Sequence, residues 1–462
     1  MAGIAAGVVM LAACGHKTTA PPTPATPQVS PPPPAPALVA VGEWTKSATE
    51  PYRGKQDDIY FVGPSIGFFG NGAGKIFRTD DAGTTWRKLF EQQGTYIRAL
   101  GFLDDKRGFA GNIGPDSFPG VTDPTMLYRT DDGGVTWRPV ELPQTEGARG
   151  VCAIEILTLD AVNAGHNLHK EIVHVGGRVG GPASLYRSDD GGASWKRLAL
   201  PHEVAMILDV KFLDPSIGFV FAGSDPDTAK SHGLIAKTSD AGRTWKVVYQ
   251  SQRPFELMWK ASFPSRTVGY ASLQNYSAQA AKDPKDAFAT RYVVKTEDGG
   301  DHWRELPMVE DPKVQEFGIG FVDERHGWVG GVPTGFETED GGVTWRATAN
   351  MPKAANKVRI VRDGERAHVW SIGVDVRHLE LAPPTAPSTA PSTAPSTAPS
   401  TAPSTAPSTA PSTAPPTAPS TAPSTAPPTA PPTAPPTAPP TAPPTARPTA
   451  PPTAPPTASA AR

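Results

Sequence analysis

Apolar residues in the middle of the chain come in short extended runs that are separated by turn residues. One such run, residues 99–102, is followed by Asp104 and then by a Gly-aromatic run at 108–111. The same order recurs at 210–219 and at 319–328. Short apolar runs of this length, bounded by Gly and Asp, predict paired β-strands.

A second pattern, an eight-residue box, occurs six times. The boxes are TDDAGTTW (79–86), TDDGGVTW (130–137), SDDGGASW (188–195), TSDAGRTW (238–245), TEDGGDHW (296–303) and TEDGGVTW (338–345). All fit Ser/Thr-x-Asp-x-Gly-x-Thr/Ser-Trp except the fifth, which has His302 in place of the second hydroxyl residue. Extended runs on both sides predict that each box is the turn of a β-hairpin.

The box aspartates are predicted to be structural. A carboxylate in such a turn can accept hydrogen bonds from unpaired backbone N–H groups, and the box glycines adopt positive φ at low cost. Six equivalent sites are how a fold is repeated, whereas an active site is built once. We assign this structural role to Asp81, Asp132, Asp190, Asp240, Asp298 and Asp340. The box tryptophans are expected to pack between neighbouring sheets.

Each repeat contains four strands, A to D, with the box between C and D, which is the plan of a β-propeller blade. Three further strands without a box follow at 358–360, 367–372 and 374–379. The missing fourth strand is expected at Trp44, which is in phase with the box tryptophans. The sequence therefore predicts an all-β fold, a seven-bladed propeller over 38–381, closed by its N-terminal strand.

Proline-rich segments flank this predicted domain. Most of the 55 prolines lie in residues 15–37 and 382–462, and the second segment repeats APST or APPT. Such compositions cannot bury a core, so we predict a disordered linker and a disordered tail.

Residues 1–14 contain a short apolar run that ends at Leu11-Ala12-Ala13-Cys14. The run is too short to cross a bilayer and is typical of a signal peptide. Its end resembles the bacterial lipobox, which implies lipidation of Cys14 and an exported lipoprotein, periplasmic or at the cell surface. By the same resemblance Gly15 favours the outer membrane. The alternative is a chance cysteine in an unprocessed protein.

Charge and ligand residues exclude several function classes. The net charge of −2 gives no basic field for nucleic acid. With only Cys14 and Cys152 a disulfide framework is excluded, and Cys152 is expected to be a buried hydrophobe. The remaining metal-type candidates are His166, His169 and His174, and the pair Asp225 and Asp227. Neither set is complete, so no metal or cofactor is predicted.

Loop lengths predict which face binds a partner. The C–D turns are constant in length, whereas the B–C connections vary and are longest at roughly 166–185 and 274–291. Loops on a rigid scaffold are where recognition is usual, so we expect binding on the face opposite the boxes. Residues that lead into strand A line the channel mouth there: Arg98, Arg149, Glu256, Trp259 and Glu316. The alternative is that these are ordinary solvated loop ends.

The boxes, the Phe-x-Asp-x-x-x-Gly-aromatic strands and the single ring resemble the photosystem II stability/assembly factor family of BNR-repeat propellers, which is related to WD40/YVTN/BNR-like repeat proteins. The resemblance implies a non-catalytic scaffold on the outer side of a membrane that binds proteins or peptides and helps to assemble or stabilise membrane proteins. We also expect the protein to be a monomer. The alternative is a sialidase-like or glucanase-like glycoside hydrolase, or a glycan-binding module, since these also carry Asp-boxes. Against a sialidase, no Arg-Ile-Pro occurs and the last tyrosine is Tyr292.

Overall fold

The computed structural model describes residues 37–143, 147–163, 166–282, 288–348 and 350–384. These residues form seven antiparallel sheets, and the predicted seven-bladed propeller is confirmed. The predicted signal segment, and nearly all of the predicted linker and tail, lie outside the described residues. In the part of the chain that the structure describes, no helix is long and apolar enough to cross a membrane.

The blades follow one another along the chain, with strand A innermost and strand D outermost. The strands of the first three blades and the two short segments before them are β1 (Val39–Ala40), β2 (Thr45–Lys46), β3 (Gln56–Phe61), β4 (Gly67–Asn71), β5 (Lys75–Thr79), β6 (Arg87–Glu91), β7 (Ile97–Phe102), β8 (Gly108–Asn112), β9 (Leu127–Thr130), β10 (Arg138–Pro139), β11 (Ala153–Asn163), β12 (His166–Gly177), β13 (Ser184–Ser188) and β14 (Lys196–Arg197).

The remaining elements, which include one short helix in blade five, are β15 (Met206–Phe212), β16 (Gly218–Gly223), β17 (Gly233–Thr238), β18 (Lys246–Gln250), β19 (Glu256–Ser262), β20 (Gly269–Asn275), α1 (Ser277–Ala280), β21 (Thr290–Thr296), β22 (Arg304–Glu310), β23 (Gln315–Phe321), β24 (Gly327–Val332), β25 (Gly335–Thr338), β26 (Arg346–Thr348), β27 (Lys357–Asp363), β28 (Arg366–Ile372) and β29 (Val376–Ala382). The A strands pack in a ring, in which β27 contacts β3.

The N-terminal segments close the ring. Both β1 and β2 pair with β29 as the outer strand of blade seven, so the chain's two ends share one sheet. Trp44 immediately precedes β2, as each box tryptophan precedes its strand D, and its ring meets Trp328 of blade six edge-on at 6.1 Å. The prediction that the N-terminal strand completes the boxless blade is confirmed.

The Asp-box turns share one hydrogen-bond pattern. In blade one, Asp81 Oδ1 accepts from the Thr79 hydroxyl (2.7 Å) and from Thr85 N (2.9 Å), and Oδ2 accepts from the Thr85 hydroxyl (2.6 Å). The Thr79 hydroxyl in turn accepts from Gly83 N at 2.9 Å. Equivalent bonds recur in the other five boxes, where the aspartates are Asp132, Asp190, Asp240, Asp298 and Asp340.

The fifth box keeps this pattern despite its altered sequence. His302 Nδ1 lies 2.7 Å from Asp298 Oδ2, where the other boxes place a hydroxyl group. In the fourth box, hydrogen bonds from the Thr244 hydroxyl and amide lower the pKa of Asp240 to about 2. A carboxylate that is ionised and already hydrogen-bonded at every oxygen is a turn constraint and a poor general acid.

The insertion in blade three differs from its prediction. Residues from His166 to Gly177 do not form a B–C loop but the whole of β12, which pairs with β11 over eleven residue pairs. The A–B hairpin of this blade is therefore long and projects on the Asp-box face, where Gly191 N donates to Glu171 O. The hairpin is long because residues 153–163 and 166–176 pair without a break. In blade five, by contrast, the extra chain is a B–C connection, as predicted, and it contains α1.

Candidate functional site

A cavity of about 800 Å³ lies at the end of the central channel opposite the Asp-boxes, on what we call the loop face. D–A and B–C connections form its walls, and the starts of the A strands form its floor. Six aromatic side chains line it: Tyr52, Tyr96, Phe118, Trp259, Tyr276 and Phe317. Aromatic walls with a few polar groups are typical of binding sites for organic ligands. We refer to this space as the loop-face cavity.

Asp57 is the centre of a buried ion cluster at the cavity floor. Its carboxylate accepts a hydrogen bond from Arg98 Nη1 at 2.5 Å and one from the Tyr96 hydroxyl, and Lys55 Nζ lies 3.3 Å away. Burial alone would raise the pKa of Asp57, but Arg98 and Lys55 more than offset this and hold the pKa below its ordinary value. Asp57 is therefore ionised, and the cluster carries one excess positive charge.

The same cations contact the aromatic wall. Lys55 Nζ lies 4.6 Å from the ring centre of Phe317, and the Arg98 guanidinium lies 5.0 Å from that of Trp259. Asn356 Oδ1 accepts from Lys55 Nζ (3.1 Å) and from Trp259 Nε1 (2.9 Å). These contacts fix the rings and the charges before any ligand arrives, which lowers the entropic cost of binding.

The structure brings only some of the five predicted binding residues together. Arg98 and Trp259 line the loop-face cavity. Arg149 is exposed at its edge and pairs at 2.8 Å with Asp116, which does line it.

Glu256 and Glu316 are buried between blades five and six and do not line the cavity. Glu256 pairs with Arg253 at 2.7 Å. Burial raises the pKa of Glu316 to about 8, and its Oε1 has no hydrogen-bond partner among the described residues. Arg98, Glu256, Trp259 and Glu316 are buried, so these four are not solvated loop ends, whereas Arg149 is exposed.

Sequence reasoning missed Lys55, Asp57, Tyr96 and Asn356. Lys55 and Asp57 immediately precede or begin the first A strand, so the unusual charged run KQDD at 55–58 was the available signal. Asn356 is hydrogen-bonded to Asp57 O, 299 residues away in the sequence, and only ring closure brings the two together.

The two blade three histidines whose side chains the structure describes, His169 and His174, do not come together. His169 is exposed between Asp160 and Glu171, whereas His174 is fully buried and stacked on Phe212. Five residues apart on β12, their side chains point to opposite faces of the sheet. The side chain of His166 lies outside the described residues.

The other metal-type candidates are also satisfied by protein groups. Asp225 and Asp227 accept backbone hydrogen bonds within a turn. In the described part of the chain, His326, Glu337 and Glu339 lie close enough together to hold an ion. Arg346 donates to both glutamates there, and His326 Nε2 lies 2.9 Å from Glu337 Oε1, so protein groups already engage these side chains.

Comparison with known proteins gives sequence and structural relatives. No family model matches the chain. Over 125 residues, 26% of this chain and 30% of the relative, it is 29% identical to the photosystem II assembly lipoprotein Ycf48 of Synechococcus sp. (strain CC9902). A solved structure, YCF48 bound to D1 peptide, superposes with a TM-score of 0.50 over 77% of this chain and 99% of that one, at 14% identity. The chain resembles the Ycf48-like β-propellers.

The chain is also similar to an enzyme, a xyloglucanase. It is 27% identical to xyloglucanase Xgh74A of Acetivibrio thermocellus over 210 residues, which are 39% of this chain and 23% of the enzyme. The matched segments thus span less than a third of either curated relative. At 14% identity the structural match establishes the fold alone.

Proposed function

We propose that this protein is a non-catalytic propeller scaffold that binds a segment of another protein on its loop face. The observation that carries the proposal is the distribution of exposed apolar side chains over the loop face. Apart from two valines near the N-terminal strands and two in box turns, the large exposed hydrophobic residues of the described chain all lie at B–C connections: Phe118, Phe288, Val332 and Val374. Of these four, Phe118 lines the loop-face cavity. Exposed apolar groups gathered on one face are typical of protein-binding surfaces.

The cavity chemistry supports a peptide ligand. Phe118 is half-exposed and stacks on Tyr96 at 5.0 Å, so a rigid aromatic pair stands at the cavity wall. Rigid aromatic groups and arginine contribute most to protein recognition, because they bury much area at low entropic cost. The D1 peptide bound to YCF48 and the assembly role named for the Synechococcus relative both support a role in assembling other proteins.

The binding experiment uses two faces of one molecule. A linear peptide is first selected from a displayed random library against the intact protein and then titrated by fluorescence anisotropy. Phe118→Asp and Val332→Asp on the loop face are expected to weaken binding about tenfold or more, as for central interface residues. Val135→Asp and Val343→Asp on the Asp-box face are the matched controls, since these valines are at least as exposed.

Loss of binding in the Asp-box-face variants, with full binding in the loop-face variants, would contradict the proposal. Failure to select any peptide from repeated rounds would contradict it as well. Thermal melting of all four variants checks that each remains folded.

We further propose that the protein acts outside a membrane as a lipoprotein anchored at Cys14. The apolar run and the Leu-Ala-Ala-Cys sequence support this placement. Metabolic labelling with a palmitate analogue is expected to tag the wild type and not Cys14→Ser, and the variant is expected to leave the membrane fraction. Equal labelling of both proteins would refute the anchor.

A xyloglucanase-type activity is the second candidate, because of the similarity to Xgh74A. The carboxylates that line the loop-face cavity are Asp57 and Asp116. Asp57 pairs with Arg98, and Asp116 pairs with Arg149. Each of these carboxylates is thus paired with an arginine, whereas a glycosidase acid must hold a proton for the leaving group. Incubation with xyloglucan and other β-glucans is expected to release no sugar. Turnover that is lost in Asp116→Asn, a change on the exposed rim, would overturn the scaffold proposal.

A further inference from the structure

The other end of the central channel opens on the Asp-box face into a second cavity of about 530 Å³. The second halves of the A strands and the A–B turns of blades three to seven form it. Six basic side chains and two acidic ones line it: Lys211, Lys260, Arg266, Lys357, Arg359 and Arg362, with Glu155 and Asp209. We call this space the Asp-box-face cavity. It is a separate site from the loop-face cavity, and its ligand is independent of the proposed function.

Its two carboxylates are already engaged. Glu155 Oε2 pairs with Lys211 Nζ at 2.9 Å. Asp209 Oδ2 accepts a hydrogen bond from Ala261 N of the next blade at 3.0 Å, and its Oδ1 is 3.8 Å from Lys260 Nζ. Outside the lining, Asp214 pairs with Arg266 and Asp58 lies 3.8 Å from Lys357. Six basic groups thus face four carboxylates, and the cavity keeps a positive charge excess.

Lys357 is the group in this cavity that most lacks a partner. The residue is 8% exposed, and its ammonium group has no hydrogen-bond acceptor within 3.5 Å among the described residues. The nearest carboxylate oxygens, on Asp58 and Asp209, are 3.8 and 4.0 Å away. A buried ammonium group without an acceptor is costly, so the site favours a ligand that supplies acceptor oxygens.

Arg359 lies next to it on the same strand. Its Nε donates to Ile59 O at 3.2 Å, its plane packs on Tyr60, and its Nη2 is 4.0 Å from Asp58. The guanidinium is thus held in place, while its Nη2 has no close acceptor in the described part of the chain. A fixed guanidinium beside a buried ammonium is a common arrangement for tetrahedral oxyanions.

We propose that the Asp-box-face cavity binds a dianionic oxyanion group, phosphate or sulfate, between Lys357, Arg359 and Lys211. The cavity is larger than one such ion, so it has room for either a free ion or a small ester. Inorganic phosphate and glycerol phosphate are the two probes that distinguish these sources.

The test is calorimetric titration of the intact protein with each probe at constant ionic strength. Wild type is expected to bind one equivalent saturably, and Lys357→Met is expected to bind about tenfold more weakly, as for loss of one charged hydrogen bond. Lys246→Met, an exposed lysine on β18, is the matched control and is expected to bind as the wild type does. Lys357→Met also removes the cation that does most to hold Asp209 ionised, so thermal melting of the variant is measured beside the titration.

A pH series with sulfate gives a second readout, because sulfate stays a dianion throughout. Burial lowers the pKa of Lys357 to about 8, against the opposing effect of Asp58 and Asp209 and with added repulsion from Arg359 and Lys260. Sulfate affinity is expected to fall from pH 7 to pH 9 in the wild type and to fall much less in Lys357→Arg. If Lys357→Met fails to fold, the pH dependence of sulfate binding in the wild type and in Lys357→Arg still tests the proposal.

Tighter binding of glycerol phosphate identifies an ester ligand, and tighter binding of inorganic phosphate identifies the free ion. No saturable binding of any probe, or equal binding by wild type and Lys357→Met, would overturn the proposal. A cavity that holds only water would show no saturable binding of any probe.

Discussion

Replacing Trp44 with alanine tests the ring closure directly. Trp44 is 9% exposed and belongs to a core cluster with Leu38 and Trp328, which joins the N-terminal segment to blades six and seven. Only two short segments, β1 and β2, attach the N-terminus to β29. Without the indole, this attachment keeps its backbone hydrogen bonds but loses most of its buried side-chain area.

Trp→Ala in a core costs about 3–5 kcal/mol. Unfolding entropy is about 2.1 cal/mol/K per residue, so a domain covering residues 37–384 has about 0.7 kcal/mol/K. The expected fall in melting temperature is therefore about 4–7 °C. Differential scanning calorimetry measures it, and hydrogen exchange should show faster exchange of the β29 amides.

Two matched variants calibrate this result. Trp345→Ala removes an ordinary box tryptophan, which meets Phe321 edge-on at 6.2 Å, and a comparable loss is expected. Val41→Ser changes a neighbouring residue that is 53% exposed, and its melting temperature should stay within about 1 °C of the wild type. If Trp44→Ala has the same melting temperature as Val41→Ser, the N-terminal segment does not stabilise the closed ring.

Three further predictions concern single residues. Asp340→Ala removes acceptors for Thr344 N and its hydroxyl and should cost about 1–2 kcal/mol in urea unfolding, with peptide binding unchanged; a binding defect without a stability loss would argue for a functional aspartate. Asp57→Asn leaves the buried Arg98 and the partly buried Lys55 without their carboxylate and should cost about 3–5 kcal/mol. Asp116→Asn on the exposed rim should be neutral, and equal effects of the two changes would refute the buried cluster. Burial and a neighbouring histidine lower the pKa of His378 to about 4 in the folded protein, whereas in the unfolded chain this residue is protonated near pH 6.5. The free energy of unfolding should therefore be at its full value above about pH 6.5 and should fall by about 1–3 kcal/mol between pH 6.5 and 4. His378→Asn should reduce that fall in denaturation midpoints, and an identical pH profile would refute the assignment.

The fold was predictable because its signal is repeated. The same turn is specified by six boxes, each with a hydroxyl residue, an aspartate, a glycine and a tryptophan. One deviation, such as His302, therefore does not obscure the pattern. Trp44 extended the phase of this series to the seventh blade, and the pairing of β1 and β2 with β29 bears it out.

The candidate site was less predictable, because it depends on contacts between distant parts of the chain. Counting loop residues cannot distinguish a long β-hairpin from a loop, so the prediction for the blade three insertion was wrong. Position at the start of strand A predicted nearness to the channel but not burial, and Glu316 is fully buried between blades. Asp57 and Asn356 meet only after the ring closes.

Partner binding on the loop face is the central claim. Its most direct test is site-specific photocrosslinking in intact cells, with the photoreactive residue placed at Phe118 or Val332 on the loop face, or at Val135 or Val343 on the Asp-box face. We expect a discrete protein adduct to form from the loop-face positions and to be absent from the Asp-box-face positions. The same adduct formed from the Asp-box face alone would contradict the claim.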